Sequence, residues 1–151
     1  MRSLNIETLS EDRIDQAYPL VHLVRPRLDP TAWRDYAVRV LASADSGICV
    51  LSDPRKLILG LFVWHVTDDP NHGRTLACDD FVALDIVDNA RVAAALADGL
   101  EVTARQQGCA AVHTSISAAA GSAAQRMVER LRGLGHEMER FQLCKPLSLT
   151  G

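Results

Sequence analysis

Three runs of strand-forming residues in close succession constrain the fold of this chain more than any other feature. They cover residues 47–52, 56–66 and 74–84, and each is rich in β-branched and other apolar residues. The turn sequence Asp53-Pro54-Arg55 joins the first two runs, and a polar loop at 68–73 joins the second to the third. Connections this short link antiparallel neighbours. The middle of the chain is therefore predicted to be an antiparallel sheet of three strands.

A strand-helix-strand unit follows these three runs. Residues 89–107 carry an apolar stripe at helical spacing, Gly108 ends the helix as a C-cap, and residues 110–116 form another strand. Parallel neighbours joined by a helix have a right-handed crossover, so the strands at 74–84 and 110–116 are predicted to run parallel. The sheet is then mixed, and mostly antiparallel.

The remaining elements flank this core. A short strand at 3–9 precedes a helix that begins after Ser10 and stops at Pro26, and Asp29 with Pro30 marks the start of a second helix. A helix at 122–134 and a strand at 138–147 end the chain. The predicted architecture is one α/β (α+β) domain over residues 1–151, with helices on both faces of the sheet and the order β-α-α-β-β-β-α-β-α-β.

Charge and hydropathy exclude several classes of function. The 151 residues have a formal net charge of −3 and a pI near 5.9, without a block of five like charges. A nucleic-acid partner or an anionic membrane surface is therefore not expected. The first dozen residues include acidic side chains and no apolar h-region, so a signal peptide is not expected, and the apolar run at 57–64 is far shorter than the ~20 residues that span a bilayer. We expect a cytoplasmic protein.

The cysteine spacing fits an intracellular protein. Four cysteines lie about thirty residues apart without a CxxC pair, each at or near an apolar segment: Cys49, Cys78, Cys109 and Cys144. This spacing favours reduced, buried thiols over disulfides or a metal site. No histidine pair has metal-ligand spacing either, so no metal is predicted.

Two adjacent carboxylates are the leading candidates for chemistry. Asp79 and Asp80 lie in the predicted strand at 74–84, where successive side chains point to opposite faces. One of them can serve as a general base beside a substrate amine, and the competing interpretation is a strand-end carboxylate paired with a basic neighbour. His65 and His113 are alternative acid-base groups, because histidine is the side chain suited to proton transfer near neutral pH, or else they are structural histidines. A serine nucleophile is not expected, because the sequence has no G-x-S-x-G elbow.

Several segments, in this order, resemble the GNAT superfamily of acyl-CoA-dependent N-acetyltransferases. Leu23-Val24-Arg25-Pro26-Arg27-Leu28 is similar to the LRP-x-L segment of some bacterial members, and Asp79-Asp80-Phe81-Val82 to the D-D-L-V of the central strand. Ala104 to Cys109 (ARQQGC) resembles the A-R-x-x-G-C that ends the cofactor-binding helix. Leu131 to Glu137 (LRGLGHE) resembles the end of the last helix. The match covers nearly the whole chain.

The resemblance implies that acetyl-CoA is the cofactor and implies where it binds. The main-chain amides of Phe81, Val82 and Ala83 would hold the acyl carbonyl, and hydroxyls near the end of the fifth strand, such as Ser115, would face the pantetheine arm. The pyrophosphate loop, R/Q-x-x-G-x-G/A in the family, falls on Asp88, Asn89, Ala90, Arg91, Val92 and Ala93. Only Ala93 satisfies that pattern. The glycines that let the backbone approach the phosphates are missing, and Arg91 offers a compensating cation.

The resemblance also implies a substrate wall and exposes a missing acid. The first two helices form that wall in the family, so Trp33 and Tyr36 are candidate substrate contacts, or else core aromatics. The tyrosine that many members place on the last helix is absent, since Val128 and Leu131 occupy its two registers.

Two functions are compatible with this sequence. The first is an acetyl-CoA-dependent N-acetyltransferase in which a small amine or a peptide N-terminus attacks the thioester directly. The alternative is a non-catalytic GNAT-fold module for binding or dimerisation that has lost CoA binding. A homodimer is left open by both.

Overall fold

A computed structural model describes residues 3–84 and 89–149. Its strands and helices follow the predicted order as far as the last helix. The strands are β1 (Asn5–Thr8), β2 (Ser46–Ser52), β3 (Ile58–Asp69), β4 (Gly73–Ala83) and β5 (Ala111–Thr114). The helices are α1 (Ile14–Val24), α2 (Pro30–Leu41), α3 (Asn89–Gln106) and α4 (Ser122–Gly133).

The five strands form one sheet in the order β1-β2-β3-β4-β5. The first four are antiparallel neighbours, and β4 pairs with β5 in parallel, with α3 as the crossover between them. The predicted mixed, mostly antiparallel sheet is therefore confirmed. No helix in the described part of the chain is long and apolar enough to cross a membrane.

Local sequence signals explain where the helices begin and end. The Asp29 side chain accepts a hydrogen bond of 2.7 Å from the Ala32 N–H, and Pro30 occupies the first turn of α2. Gly108 follows α3 with a φ of +71°, a left-handed conformation that other residues rarely adopt. The cap positions predicted at these two residues are confirmed.

The sheet has a hydrophobic core on each face. One core includes Phe62 and Leu76 of the sheet and Leu96 and Leu100 of α3, all without exposed surface. The other lies under α1 and α2 and contains a different set of buried side chains, among them Ile14, Val21, Trp33, Ile48, Val50 and Leu61. Helices cover both faces, as the element order predicted.

A β-bulge interrupts β4 at the two adjacent carboxylates. Val63 pairs with Asp80 and Trp64 pairs with Cys78, so Asp79 is the extra residue. Because of this slip, Cys78 lies in the α3 core whereas Val82 lies in the core under α1 and α2. The expectation that the two carboxylates point to opposite faces is wrong, because the bulge breaks the alternation and turns both toward α1 and α2.

The strand predicted at 138–147 is wrong. Residues 136–149, which we call the C-terminal tail, contain no helix or strand, and the side chains of Phe141 and Leu143 are 83% and 94% exposed. An alternating pattern makes a strand only when another strand is there to pair with it, and Pro146 cannot donate to a ladder. Cys144 is consequently exposed, so the expectation of a buried thiol fails there, although all four cysteines are free thiols.

Candidate functional site

The site is built where β4 and β5 separate. Their last paired residues are Cys78 and Thr114, and the Ser115 N–H then donates to the Cys78 carbonyl over 2.8 Å. Beyond this point β4 continues to Ala83 alongside β3. The segment that follows β5 instead turns toward α1, where the Ser117 hydroxyl donates to the Val24 carbonyl over 3.0 Å. The two parallel strands diverge, and a cleft opens between them.

Asp80 is a buried carboxylate beside the cleft and forms an ion pair with the partly exposed Arg25. Its carboxylate is 4% exposed and accepts two hydrogen bonds from Arg25, 2.6 Å from Nε to Oδ1 and 3.1 Å from Nη2 to Oδ2. The hydrogen bond to Asp80 raises the pKa of Arg25, against the opposing effect of burial. Two-point pairing of this kind fixes both groups and occupies both oxygens of Asp80.

Asp79 is the accessible member of the carboxylate pair. Its side chain is 48% exposed, and its Oδ2 lies 3.5 Å from Nδ1 of His65 on the neighbouring strand β3. His65 is itself 46% exposed. The bulge therefore presents an exposed carboxylate and an exposed imidazole side by side, next to the Arg25–Asp80 pair.

Of the two aromatic residues expected to face substrate, only Tyr36 lies near the carboxylates. Burial raises the pKa of Tyr36, and the charges of Asp80 and Asp79 add to this effect. Trp33 is 1% exposed, and its indole N–H donates to the Ile14 carbonyl over 2.8 Å. The expectation that Trp33 contacts substrate is wrong, because Trp33 packs in the core between α1 and α2.

The residues expected to hold CoA fall into three groups. Phe81 and Val82 are buried and Ala83 is partly buried, so these three offer mainly their backbone. Asp88 and the side chain of Asn89 lie outside the described residues. In the first turn of α3, Ala90 and Arg91 are exposed, whereas Val92 and Ala93 are buried against the sheet and anchor that turn, and Ser115 is exposed at the end of β5.

These positions fit an anionic ligand in part. An exposed small residue and an exposed arginine in the first turn of an 18-residue helix suit a phosphate group, because the helix dipole is positive there. The separation of β4 from β5 leaves room for an extended arm. The side chains of residues 92 and 93 face the core, so these two residues can offer only their backbone to such a ligand.

A groove of about 1000 Å³ runs from the carboxylates past β5 to the C-terminal tail. Sequence analysis did not identify Arg25 as a partner of Asp80, although Arg25 lies in the LRP-like segment that was singled out. The Thr114 Oγ1, at the end of β5, is buried and has no hydrogen-bond partner among the described residues. His113 does not join the carboxylate pair but contacts His72 and Glu139.

No protein-family model and no curated protein matches this sequence. Solved structures do match it. An aminoglycoside N-acetyltransferase in complex with CoA superposes with a TM-score of 0.80 at 13% identity, covering 97% of this chain and 96% of that one. A transcriptional regulator from Bacillus halodurans C-125 gives 0.79 at 14% identity, with 96% and 100% covered. A ribosomal-protein-alanine N-acetyltransferase from Brucella melitensis biovar Abortus 2308 gives 0.72 at 14%, with 96% and 100% covered. The chain has the fold of the GNAT acetyltransferases.

Proposed function

We propose that this chain is an acetyl-CoA-dependent N-acetyltransferase whose acceptor is a small amine or a peptide N-terminus. One observation carries the proposal: the bulge in β4 presents the exposed Asp79 carboxylate at the point where β4 leaves β5. The fold supports it, since N-acetyltransferases are among the structures that share this fold over nearly their whole length. Fold alone does not define an activity, so the argument depends on the site.

The two adjacent carboxylates have different roles in this proposal. Asp80 has both oxygens bonded to Arg25 and acts as a positioning residue that fixes the bulge. Asp79 is free to approach an acceptor, and as a general base it takes the proton that the amine must lose when it becomes an amide. His65, 3.5 Å from Asp79, can share that proton.

Acetyl-CoA supplies the acetyl group as a thioester. The exposed first turn of α3 with Ala90 and Arg91, the backbone of Phe81, Val82 and Ala83, and Ser115 are the groups proposed to hold it. The position of the usual acid on α4 is apolar, since Leu131 is buried in the core. Burial raises the pKa of Tyr36, so its hydroxyl stays protonated at neutral pH. In this proposal the hydroxyl can donate a hydrogen bond to a group bound beside the carboxylates.

The acceptor class follows from the charge at the bulge. An amine is a cation at neutral pH, and the exposed Asp79 carboxylate attracts and orients it before the proton is lost. Proteins with this fold are named for both classes of acceptor, an aminoglycoside and the alanine of a ribosomal protein. The proposal therefore covers small amines and peptide N-termini. A homodimer remains a prediction.

A second candidate is a non-catalytic binding or dimerisation module. It is favoured by the absence of glycine from residues 88–93, since the family relies on glycine there for close approach to the phosphates. A structure described as a transcriptional regulator shares the fold, which is consistent with this candidate.

The two candidates are separated by an activity assay and a binding assay. Thiol release from acetyl-CoA is measured with a panel of polyamines, aminoglycosides and short peptides, and the proposal expects turnover with at least one acceptor. Asp79→Asn should lower kcat/KM at least hundredfold, whereas Asp68→Asn, an exposed carboxylate at the far end of β3, should leave it unchanged. An acetyl-CoA concentration one hundred times Kd stabilises a binding protein by about 2.7 kcal/mol. No thermal shift and no turnover would support the second candidate.

A further inference from the structure

Four side chains from three separate parts of the chain meet at one edge of the sheet. Asp69 and His72 belong to the β3–β4 turn region, His113 lies on β5, and Glu139 lies in the C-terminal tail. Asp69, His72 and His113 each offer one donor atom, and these atoms lie within 4.8 Å of one another. We call Asp69, His72, His113 and Glu139 the histidine cluster.

Glu139 connects the two histidines of the cluster. Its Oε1 lies 2.7 Å from Nε2 of His72, and its Oε2 lies 3.4 Å from Nε2 of His113. The two imidazole rings meet edge to face, with centroids 5.3 Å apart and an interplanar angle of 80°. One carboxylate thus approaches both ring nitrogens.

His113 gives independent evidence for a ligand. Its Nε2 is buried, and no described residue forms a hydrogen bond with it, because the Glu139 oxygen at 3.4 Å is not aligned for one. Buried polar nitrogens are nearly always bonded. A buried ring nitrogen that has no hydrogen bond and lies beside a carboxylate and a second imidazole is the arrangement that a metal ion satisfies.

The turn holds two of the cluster residues in a fixed relation. The Asp69 Oδ2 accepts hydrogen bonds of 2.9 Å from the backbone N–H groups of both Asn71 and His72. Asp69 and His72 therefore reach a metal ion together, as a preformed pair.

We propose that Asp69, His72, His113 and Glu139 bind a divalent transition-metal ion, and that the ion is Zn²⁺. Two imidazoles with two carboxylates suit Zn²⁺, whereas Mg²⁺ and Ca²⁺ prefer oxygen ligands alone. Tetrahedral coordination at 2.0–2.1 Å places donors roughly 3.3 Å apart, so the donor atoms of Asp69, His72 and His113, which now lie within 4.8 Å of one another, approach by up to about 1.5 Å around the ion. His72 and Glu139, on an exposed turn and an unstructured tail, supply that movement.

Metal binding has a structural consequence that is separate from acyl transfer. Residues 136–149 have no helix or strand, and Glu139 is their contact with the β3–β4 turn and β5 within the cluster. A Zn²⁺ ion bound by all four residues fastens the tail to the edge of the sheet. The ion therefore orders the segment that borders one side of the groove.

The test uses the full chain without an affinity tag, treated with a chelator and titrated with ZnCl₂ by calorimetry. We expect one ion per chain. His72→Ala, His113→Ala and Glu139→Gln should each weaken Zn²⁺ binding at least tenfold, and the His72→Ala/His113→Ala pair should abolish it. His22→Ala, an exposed histidine of α1, and Cys144→Ser, an exposed thiol of the tail, are controls that should bind as the parent does. MgCl₂ should give no binding.

A second readout distinguishes an ion that fastens the tail to the sheet from non-specific binding at the surface. Hydrogen exchange of amides in 136–149 should slow when Zn²⁺ is added to the parent, and Zn²⁺ should not change it in Glu139→Gln. Because Glu139 is exposed, this substitution does not unfold the protein, and the missing effect of Zn²⁺ reports the lost ligand. The proposal is overturned if the parent binds no Zn²⁺, which would leave ordinary His–Glu ion pairs. It is also overturned if the His72→Ala/His113→Ala variant binds as tightly as the parent.

Discussion

The central strands and the C-terminal tail are opposite extremes of the same chain. β3 and β4 pair from Gly60↔Ala83 to Asp69↔Gly73, and side chains such as Phe62 and Leu76 have no exposed surface. The tail also contains large apolar side chains, yet those of Phe141 and Leu143 are mostly exposed. Apolar residues alone therefore do not order a segment of this protein. A strand partner and a helix to cover it are also needed.

Different interactions hold the two regions. The central strands are buried between two cores, one on each face of the sheet. The tail is instead held by directed polar contacts, such as the His72–Glu139 contact of 2.7 Å. Burial is worth far more free energy than an exposed polar contact. We expect substitutions in the two regions to differ accordingly.

The largest difference should come from one substitution made in both regions. Phe62→Ala removes a side chain with no exposed surface from the centre of the sheet, and we expect a loss of about 3–5 kcal/mol in the free energy of unfolding. Phe141→Ala, at a site 83% exposed, should change it by less than about 0.5 kcal/mol. Chemical denaturation followed by circular dichroism measures both. A loss above 1 kcal/mol at Phe141 would show that the tail packs on something in solution.

The same contrast explains how much of the fold the sequence predicts. Periodicity identifies every helix and strand of the central sheet, because its elements bury one face against a neighbour and their patterns record this. It fails at 138–147, where the pattern is strand-like but no strand pairs with it. It also fails at Asp79, because the bulge depends on the register with Val63 and Trp64 of the partner strand. Register is a property of two segments, and a pattern read along one of them does not contain it.

The candidate site is partly predictable for a related reason. The adjacent carboxylates are visible as residue types on a strand, and their selection needed no tertiary information. The division between Asp79 and Asp80 could not be predicted, since it depends on Arg25, which is 55 residues away in sequence. Trp33 was misassigned because a buried aromatic and a substrate contact have the same helical spacing. The histidine cluster was missed because Glu139 and His113 reach His72 only through the fold.

A second comparison of moderate size concerns two arginine ion pairs. Arg25→Ala leaves the buried Asp80 carboxylate without its partner, and Arg25 is itself 44% exposed, so we expect a loss of about 2 kcal/mol. Arg34→Ala breaks an exposed pair with Asp15, 3.1 Å apart, and should cost less than about 0.5 kcal/mol. Thermal unfolding at one ionic strength measures both.

The arginine side of the Arg25–Asp80 pair adds no pH dependence in the ordinary range. The hydrogen bond to Asp80 raises the pKa of Arg25 above its already high ordinary value, so the contribution of the arginine is complete throughout the ordinary pH range and is lost only in strong base. Equal losses for Arg25→Ala and Arg34→Ala would mean that water reaches Asp80 and that the pair does not fix the bulge. The positioning role proposed for Asp80 would then fail.

The last prediction compares the reactivity of two thiols and needs no substitution. Burial raises the pKa of Cys78 well above its usual value, and the thiol donates to the Asp80 carbonyl, so it is neither ionised nor accessible at pH 8. Cys144 lies in the exposed tail. A maleimide reagent followed by mass spectrometry should modify Cys144 within minutes in the native protein and Cys78 only after denaturation, because labelling of Cys78 must wait for the sheet to open. Protection of Cys144 in the native protein would contradict the exposed tail. If that protection weakens on dilution, a second copy of the chain covers the tail, and if it appears only with ZnCl₂, the ion at the histidine cluster orders it.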